Sequence, residues 1–314
     1  FCRFVCWLVH SIIYFVKITI FVENKDHLSK PVLLITPPFT QLNTPYPATA
    51  YLKGFFNTKK IASVQADLGI EVSLALFNKN GLEKLFATIE AKENVLTDNS
   101  KRIVTLKDKY IHTIDAVILF LQGKQNTLAH TICTRQFLPE ASRFEQIDDL
   151  KWAFGSMGKL DMAKHLATLY LEDLSDLIQE NVDTHFGFSR YAESLGRCAS
   201  TFDEMYEAMQ KPYTYIDDIL IQVLAKRISE VNPKLVCFSV PFPGNLYASL
   251  RSAQWIKQHY PEIKVAMGGG FANTELRSLT DSRVFEFYDF ITLDDGEAPL
   301  EVLIQYIDGN ESIE

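Results

Sequence analysis

No run of basic residues occurs anywhere in this sequence. Its 31 Lys and Arg are outnumbered by 39 Asp and Glu, for a net charge of -8. That balance argues against a nucleic-acid partner, because neutralising phosphates takes clustered cations. Cysteine is sparse as well: Cys2, Cys6, Cys133, Cys198 and Cys237 are odd in number, and none forms C-x-x-C. Neither a disulfide framework nor a zinc site is indicated, and a reducing cytoplasm suits such scattered thiols. Cys2 and Cys6 stand four apart, but Val9 lies where an iron–sulfur triplet would need its third thiolate. Internal repeats, low-complexity tracts and the phosphate loops G-x-G-x-x-G and G-x-x-x-x-G-K are also missing. The partner left by these absences is a small molecule or another protein.

What is present is ample material for a core: 47% of the 314 residues are hydrophobic and 22% charged. That length suits one large domain or two ordinary ones. Residues 1–30 read differently from the rest. Phe4–Val22 is 19 residues interrupted only by His10, Ser11, Lys17 and Thr19, close to the length that spans a bilayer. Lys17 is costly at that depth, and the chain opens on Phe1. The segment reads as a fragment end or an upstream extension, with a membrane anchor as the alternative.

Val32–Thr36 is a continuous apolar run stopped by Pro37 and Pro38, as expected of a strand covered on both faces. Tyr46–Phe56 reads as a helix and Ile61–Ala66 as a second strand. The same alternation returns late in the chain, with strands at Leu235–Val240, Ile263–Met267 and Phe290–Leu293. Helices are expected between and after them at Tyr247–His259 and Ala298–Ile307. Strand and helix in alternation predict an α/β fold, a Rossmann-like parallel sheet with flanking helices. Between the two clusters strand signal is nearly absent. Thr105–Leu121, Leu160–Ile178, Tyr191–Met209 and Ile216–Ile228 carry helical spacing. A large all-helical insertion over 81–230 therefore divides a sheet domain made of 31–80 and 231–314.

In an open parallel sheet, ligands bind beyond the carboxyl ends of the strands. Those ends carry "TPPFTQLNTPYP", "SVPFPGN", "GGGFAN" and "DDGEAP". Small residues permit close backbone approach there, and Phe39, Phe242 and Phe271 supply flat apolar walls. Each has a purely structural reading too. The prolines serve as strand stops, and the glycines as turn formers. Ser239 is able to bond its own backbone, and the Asp294, Asp295 and Glu297 cluster opens a helix.

The series "PVLLITPPF…YPATAYLKGFF", "NPKLVCFSVPFPGN", "IKVAMGGGFAN" and "DFITLDDGEAPLEVLI" resembles the cobalamin-binding domain that precedes the catalytic barrel of cobalamin-dependent radical SAM enzymes. The likeness covers Pro31–Asp67 and Asn232–Ile307, about a third of the chain. It implies that Ser239 and Gly268, Gly269 and Gly270 flank the nucleotide tail of the cofactor. By the same likeness Pro37, Pro38, Phe39, Pro241, Phe242 and Phe271 approach the corrin, and Gly296 and Glu297 complete the rim.

Two departures qualify it. The loop after the first strand has no His, so the D-x-H-x-x-G ligand to cobalt is missing; "DTHFG" at Asp183–Gly187 is a near-match inside the helical insert and reads as structural. No C-x-x-x-C-x-x-C is present either, and such thiolates hold the [4Fe–4S] cluster of that chemistry. The cluster and S-adenosylmethionine would then belong to a C-terminal barrel outside this chain, which is expected to bind cofactor without turning over. A nucleotide or sugar-phosphate site, glycosyltransferase-like, and a non-catalytic interaction module remain as alternatives.

Overall fold

The computed structural model describes residues 30–40, 42, 44–92, 95–145, 158–188, 192–193, 196 and 202–309. The apolar segment 4–22 and most of 191–201 lie outside the described residues. In chain order the elements are β1 (Val32–Thr36), α1 (Ala48–Thr58), β2 (Ser63–Asp67), α2 (Leu68–Leu76), α3 (Lys79–Ala91), α4 (Asp98–Thr105), α5 (Lys107–Leu121) and α6 (Leu128–Cys133). There follow α7 (Gly158–Asn181), α8 (Asp203–Gln210), α9 (Tyr215–Val231), β3 (Leu235–Ser239), α10 (Pro243–His259), β4 (Lys264–Gly268), α11 (Gly270–Thr274), β5 (Phe290–Ile291) and α12 (Glu297–Ile307). Contacts among the described residues divide the chain into a helical unit, Leu42, Thr44 and the described part of 73–187, and a sheet unit built from the described parts of 30–40, 45–72 and 188–309.

All five strands of the sheet unit are parallel, in the order β2-β1-β3-β4-β5. The chain is thus α/β with a Rossmann-like sheet, in one of the two common doubly wound orders. Every residue of β1 and of β3 is buried, which is why both read as unbroken apolar runs. On one face, Val32, Leu34, Leu235, Cys237 and Ala266 pack with Phe56 of α1 and with Leu300, Leu303 and Ile304 of α12. On the last strand the ladder runs one bond beyond β5, from the Thr292 N–H to Met267 O at 2.8 Å. The chain then turns at Asp294, whose φ is 63°, and β5 ends short of the expected Leu293.

Helices α8 and α9 belong to the sheet unit. Arg251 of α10 donates to the carbonyls of Ala208 and Met209, at 2.9 and 3.0 Å, and stands 3.2 Å from the Asp217 carboxylate. The helical unit therefore stops well before residue 230. Within it, the expected Thr105–Leu121 helix is α5, with Thr105 itself the last residue of α4. The Leu106 N–H bonds both Arg102 O and Ile103 O, a tightened last turn that closes α4. Tyr110 and Tyr170 stack with ring centroids 5.0 Å apart, and the Tyr170 hydroxyl donates to Tyr110 O at 2.9 Å. The Asp183 carboxylate accepts the His185 N–H at 3.0 Å, so the "DTHFG" stretch is a turn closed by its own aspartate.

Candidate functional site

β1 and β3 lie side by side where the strand order reverses, and a slot of about 420 Å³ opens beside them at the carboxyl ends. Its walls come from the sheet, from Tyr46 to Leu52 at the start of α1, and from Thr292 to Leu300 after β5. The sheet supplies them in register. Leu34, Cys237 and Ala266 form one row across three strands, and Ser239 and Gly268 form another nearer the mouth. Alternation along each strand puts all of these on one face.

Six of the residues singled out in the sequence line this slot: Ser239, Gly268, Gly269, Gly270, Gly296 and Glu297. Pro241, Phe242 and Phe271 instead line a second cavity of about 900 Å³, with Phe202 and Leu279. Phe242 is 55% exposed and meets Tyr46 edge to face at 5.8 Å. Pro37, Pro38 and Phe39 line neither cavity. All three are buried, Pro37 O accepts the Asn245 Nδ2 at 2.8 Å, and the backbone of Pro38 and Phe39 packs on Gly69.

The three glycines differ in what they do. A Cβ on Gly268 would sit 2.5 Å from Thr292 Oγ1. Gly269, at φ +105°, has Val240 N only 2.8 Å from where a Cβ would be. These two are glycine because the protein's own chain lies against them. A Cβ on Gly270 would make only ordinary contacts, 3.4 Å from Pro241 O and 4.0 Å from the Tyr46 hydroxyl, and Gly270 lines the slot.

The rim is held by a clasp. Asn273 donates to Asp294 O at 3.0 Å and accepts from Asp294 N at 2.5 Å, while Arg277 donates to the Asp294 carboxylate at 2.6 Å. That ion pair draws the Asp294 carboxyl below its ordinary range. Tyr51 is pushed up by its hydrogen bond to Glu297 and by that carboxylate's charge. Burial pushes up the Cys237 thiol, so it stays protonated and unreactive as a nucleophile. Asp294, Asp295 and Glu297 thus give the mouth three carboxylates, and no Lys or Arg lines the slot. Ser239 is 7% exposed and lines the slot. Among the described residues no cluster of His, Cys, Asp or Glu is arranged to hold a metal ion. No described helix is long and apolar enough to cross a membrane.

The inner row escaped the sequence reading, which attended only to the loops after the strands. Leu34, Cys237 and Ala266 are ordinary strand residues until register sets them side by side. Tyr46, Thr49 and Asn273 had a weak signal, as polar residues placed just after strand ends.

No family model matches the chain, and comparisons with curated proteins and with solved structures return no match.

Proposed function

We propose that the sheet unit is a cobalamin-binding module, of the kind that stands ahead of the barrel in cobalamin-dependent radical SAM enzymes. The observation that carries this reading is the slot itself. It runs inward from the carboxyl ends at the switch in strand order, between the sheet and the helices of one face. Its volume of about 420 Å³ lies in the range of small-molecule sites. That is too little for a corrin and enough for the base and ribose of a nucleotide tail.

The donor set fits such a tail. Ser239 offers a hydroxyl on the outer row of the slot, able to hydrogen-bond a group bound beside it. Gly270 leaves the mouth clear of side chains, and Tyr46 and Phe242 offer aromatic surface at its edge for a flat macrocycle. The lining charge separates this reading from a nucleotide or sugar-phosphate site. Three carboxylates stand at the mouth, only Asp294 among them paired with an arginine, and no Lys or Arg lines the slot to receive a free phosphate. Cobalamin carries one internal phosphodiester offset by its positive corrin–cobalt core, and needs no Lys or Arg. When bound, cobalamin supplies a cobalt centre able to carry a methyl group or to start radical chemistry. This chain's own residues bind and orient it, and shield the base from water. No His follows β1 to reach the cobalt from below. The [4Fe–4S] cluster, S-adenosylmethionine and the reaction are assigned to a C-terminal barrel beyond this chain.

The test is a visible-spectrum titration with hydroxocobalamin followed by desalting. The reading expects a near-stoichiometric red protein, with retention lost in Gly270→Trp while circular dichroism stays native. Absence of retention, or retention indifferent to Gly270→Trp, would overturn it.

A further inference from the structure

The second cavity, of about 900 Å³, lies across α11 from the slot. Gly270 and Asn273 of that helix line the slot, while Phe271, Thr274 and the adjoining Glu275 line the cavity. Helical rotation sends neighbouring residues to different sides, so one short helix walls both. The cavity has the volume of a large small-molecule site. Its wall is apolar and largely aromatic: Phe202 and Phe271 are buried, the ring of Phe242 is exposed beside them, and Pro241 and Leu279 fill between. Its charge is of one sign. Asp203, Glu275 and Asp281 line it, and no described Lys or Arg does. Behind the wall Arg283 donates to Asp203 at 2.6 Å and to Asp281 at 2.5 Å. Its guanidinium stands 4.9 Å from the ring centre of Tyr206 and 5.9 Å from that of Phe202. Glu275 enters no ion pair among the described residues. Three carboxylates against one guanidinium leave the cavity net negative.

We propose that this cavity is a second ligand site, distinct from the slot, for a small organic cation: an amine or ammonium group carried on an apolar body. The proposal rests on the cavity alone and not on the cobalamin reading. Aromatic faces attract a cation through their quadrupole, and the same rings with Pro241 and Leu279 bury the body that carries it. Glu275 supplies a carboxylate that no protein cation has claimed. The wall already holds a cation in this manner, since Arg283 lies over two rings and between two carboxylates. An anion entering the cavity would meet the net negative charge with no described Lys or Arg to receive it. A neutral molecule of the same shape would gain the wall and forgo the charge.

Phenethylamine is the probe, with phenethyl alcohol as its uncharged counterpart and hydrocinnamate as an anionic one. Each is titrated into the full chain and followed by ligand-observed NMR. Phenethylamine is expected to bind saturably at millimolar concentration or below, the alcohol to bind about fivefold more weakly, and hydrocinnamate not to bind. Glu275→Gln should weaken the amine by about twofold to fivefold and leave the alcohol as it was. Ser278→Trp, an exposed position on the lining, should block both while circular dichroism stays native. Equal affinity for amine and alcohol, no amine binding at millimolar concentration, or indifference to both variants would each overturn the proposal. Hydroxocobalamin is added last. Displacement of the amine would also overturn it, by making the cavity part of the cofactor's own site. Amine binding without any cobalamin retention would sink the cofactor reading and leave the cation site standing.

Discussion

The guanidinium of Arg251 stands 3.2 Å from the carboxylate of Asp217, with the two side chains 1% and 0% exposed. The Tyr247 hydroxyl and the Thr214 N–H donate to the same carboxylate, at 2.9 and 3.1 Å. The pair joins α9 to α10, and through Ala208 and Met209 it also holds α8. Removing one partner strands a buried charge. Asp217→Ala should therefore lower the unfolding free energy by about 3–5 kcal/mol in a urea titration. The double replacement Asp217→Leu with Arg251→Met should recover most of that loss, because an apolar pair of similar volume costs no desolvation. A double variant no more stable than the single would show that shape, not charge, is what the pair contributes.

Gly269 and Gly270 are adjacent and should respond oppositely to alanine. At φ +105° and ψ 178°, Gly269 occupies a region that is essentially glycine's alone. A Cβ there also meets the Val240 backbone. Gly269→Ala is expected to cost at least about 1–3 kcal/mol. Gly270→Ala, whose Cβ makes ordinary contact with Pro241 O at 3.4 Å, should stay within about 0.5 kcal/mol of the parent. Thermal unfolding of the two variants reads the contrast, and equal losses would contradict it.

The Asn273 clasp should govern how tightly the slot closes. Asn273→Ala removes both bonds to Asp294, at about 1 kcal/mol each. It should speed amide exchange over 292–297 and shorten the lifetime of any bound corrinoid. Arg277→Ala removes an exposed ion pair and is expected to cost under about 1 kcal/mol. Exchange no faster in Asn273→Ala than in Arg277→Ala would locate the clasp elsewhere.

Asp173 gives the helical unit a pH dependence. Its side chain is 0% exposed, and burial pushes its pKa from 3.8 up to about 6, against the lowering effect of the Arg143 and Ala141 N–H donors. The folded state thus binds this proton more tightly than the unfolded state does. By linkage, the Asp173 contribution to stability falls as pH rises from about 4 to 6, and the loss is complete above that window. Asp173→Asn removes this component, so the stability difference between wild type and variant should shift across that interval. A difference flat with pH would mean that the two backbone donors cancel the effect of burial.

Much of the fold was legible along the chain, and the reason is local. β1 and β3 announce themselves because a strand buried on both faces must be apolar at every position. The helix α12 and the core of α10 follow from 3.6-residue spacing. Less was legible where several outcomes share one pattern. The break at Leu106, between α4 and α5, is marked by no Gly or Pro. The helix α3 passed unremarked, although Leu82, Leu85, Phe86 and Ile89 carry its period behind the cap at Asn78.

The candidate site divides in the same way. Composition and turn chemistry placed Ser239, Gly268–Gly270 and Gly296–Glu297 at strand ends, because small residues there follow from backbone geometry alone. Tertiary structure decided what those residues share. Strand register brings Leu34 and Cys237, far apart in the chain, beside Ala266 to make an apolar inner row. Helix packing sends Phe242 and Phe271 to a different cavity and buries Pro37, Pro38 and Phe39. Whether a side chain lines a slot depends on which strand lies next to its own and in what register, and pairing between distant segments sets both.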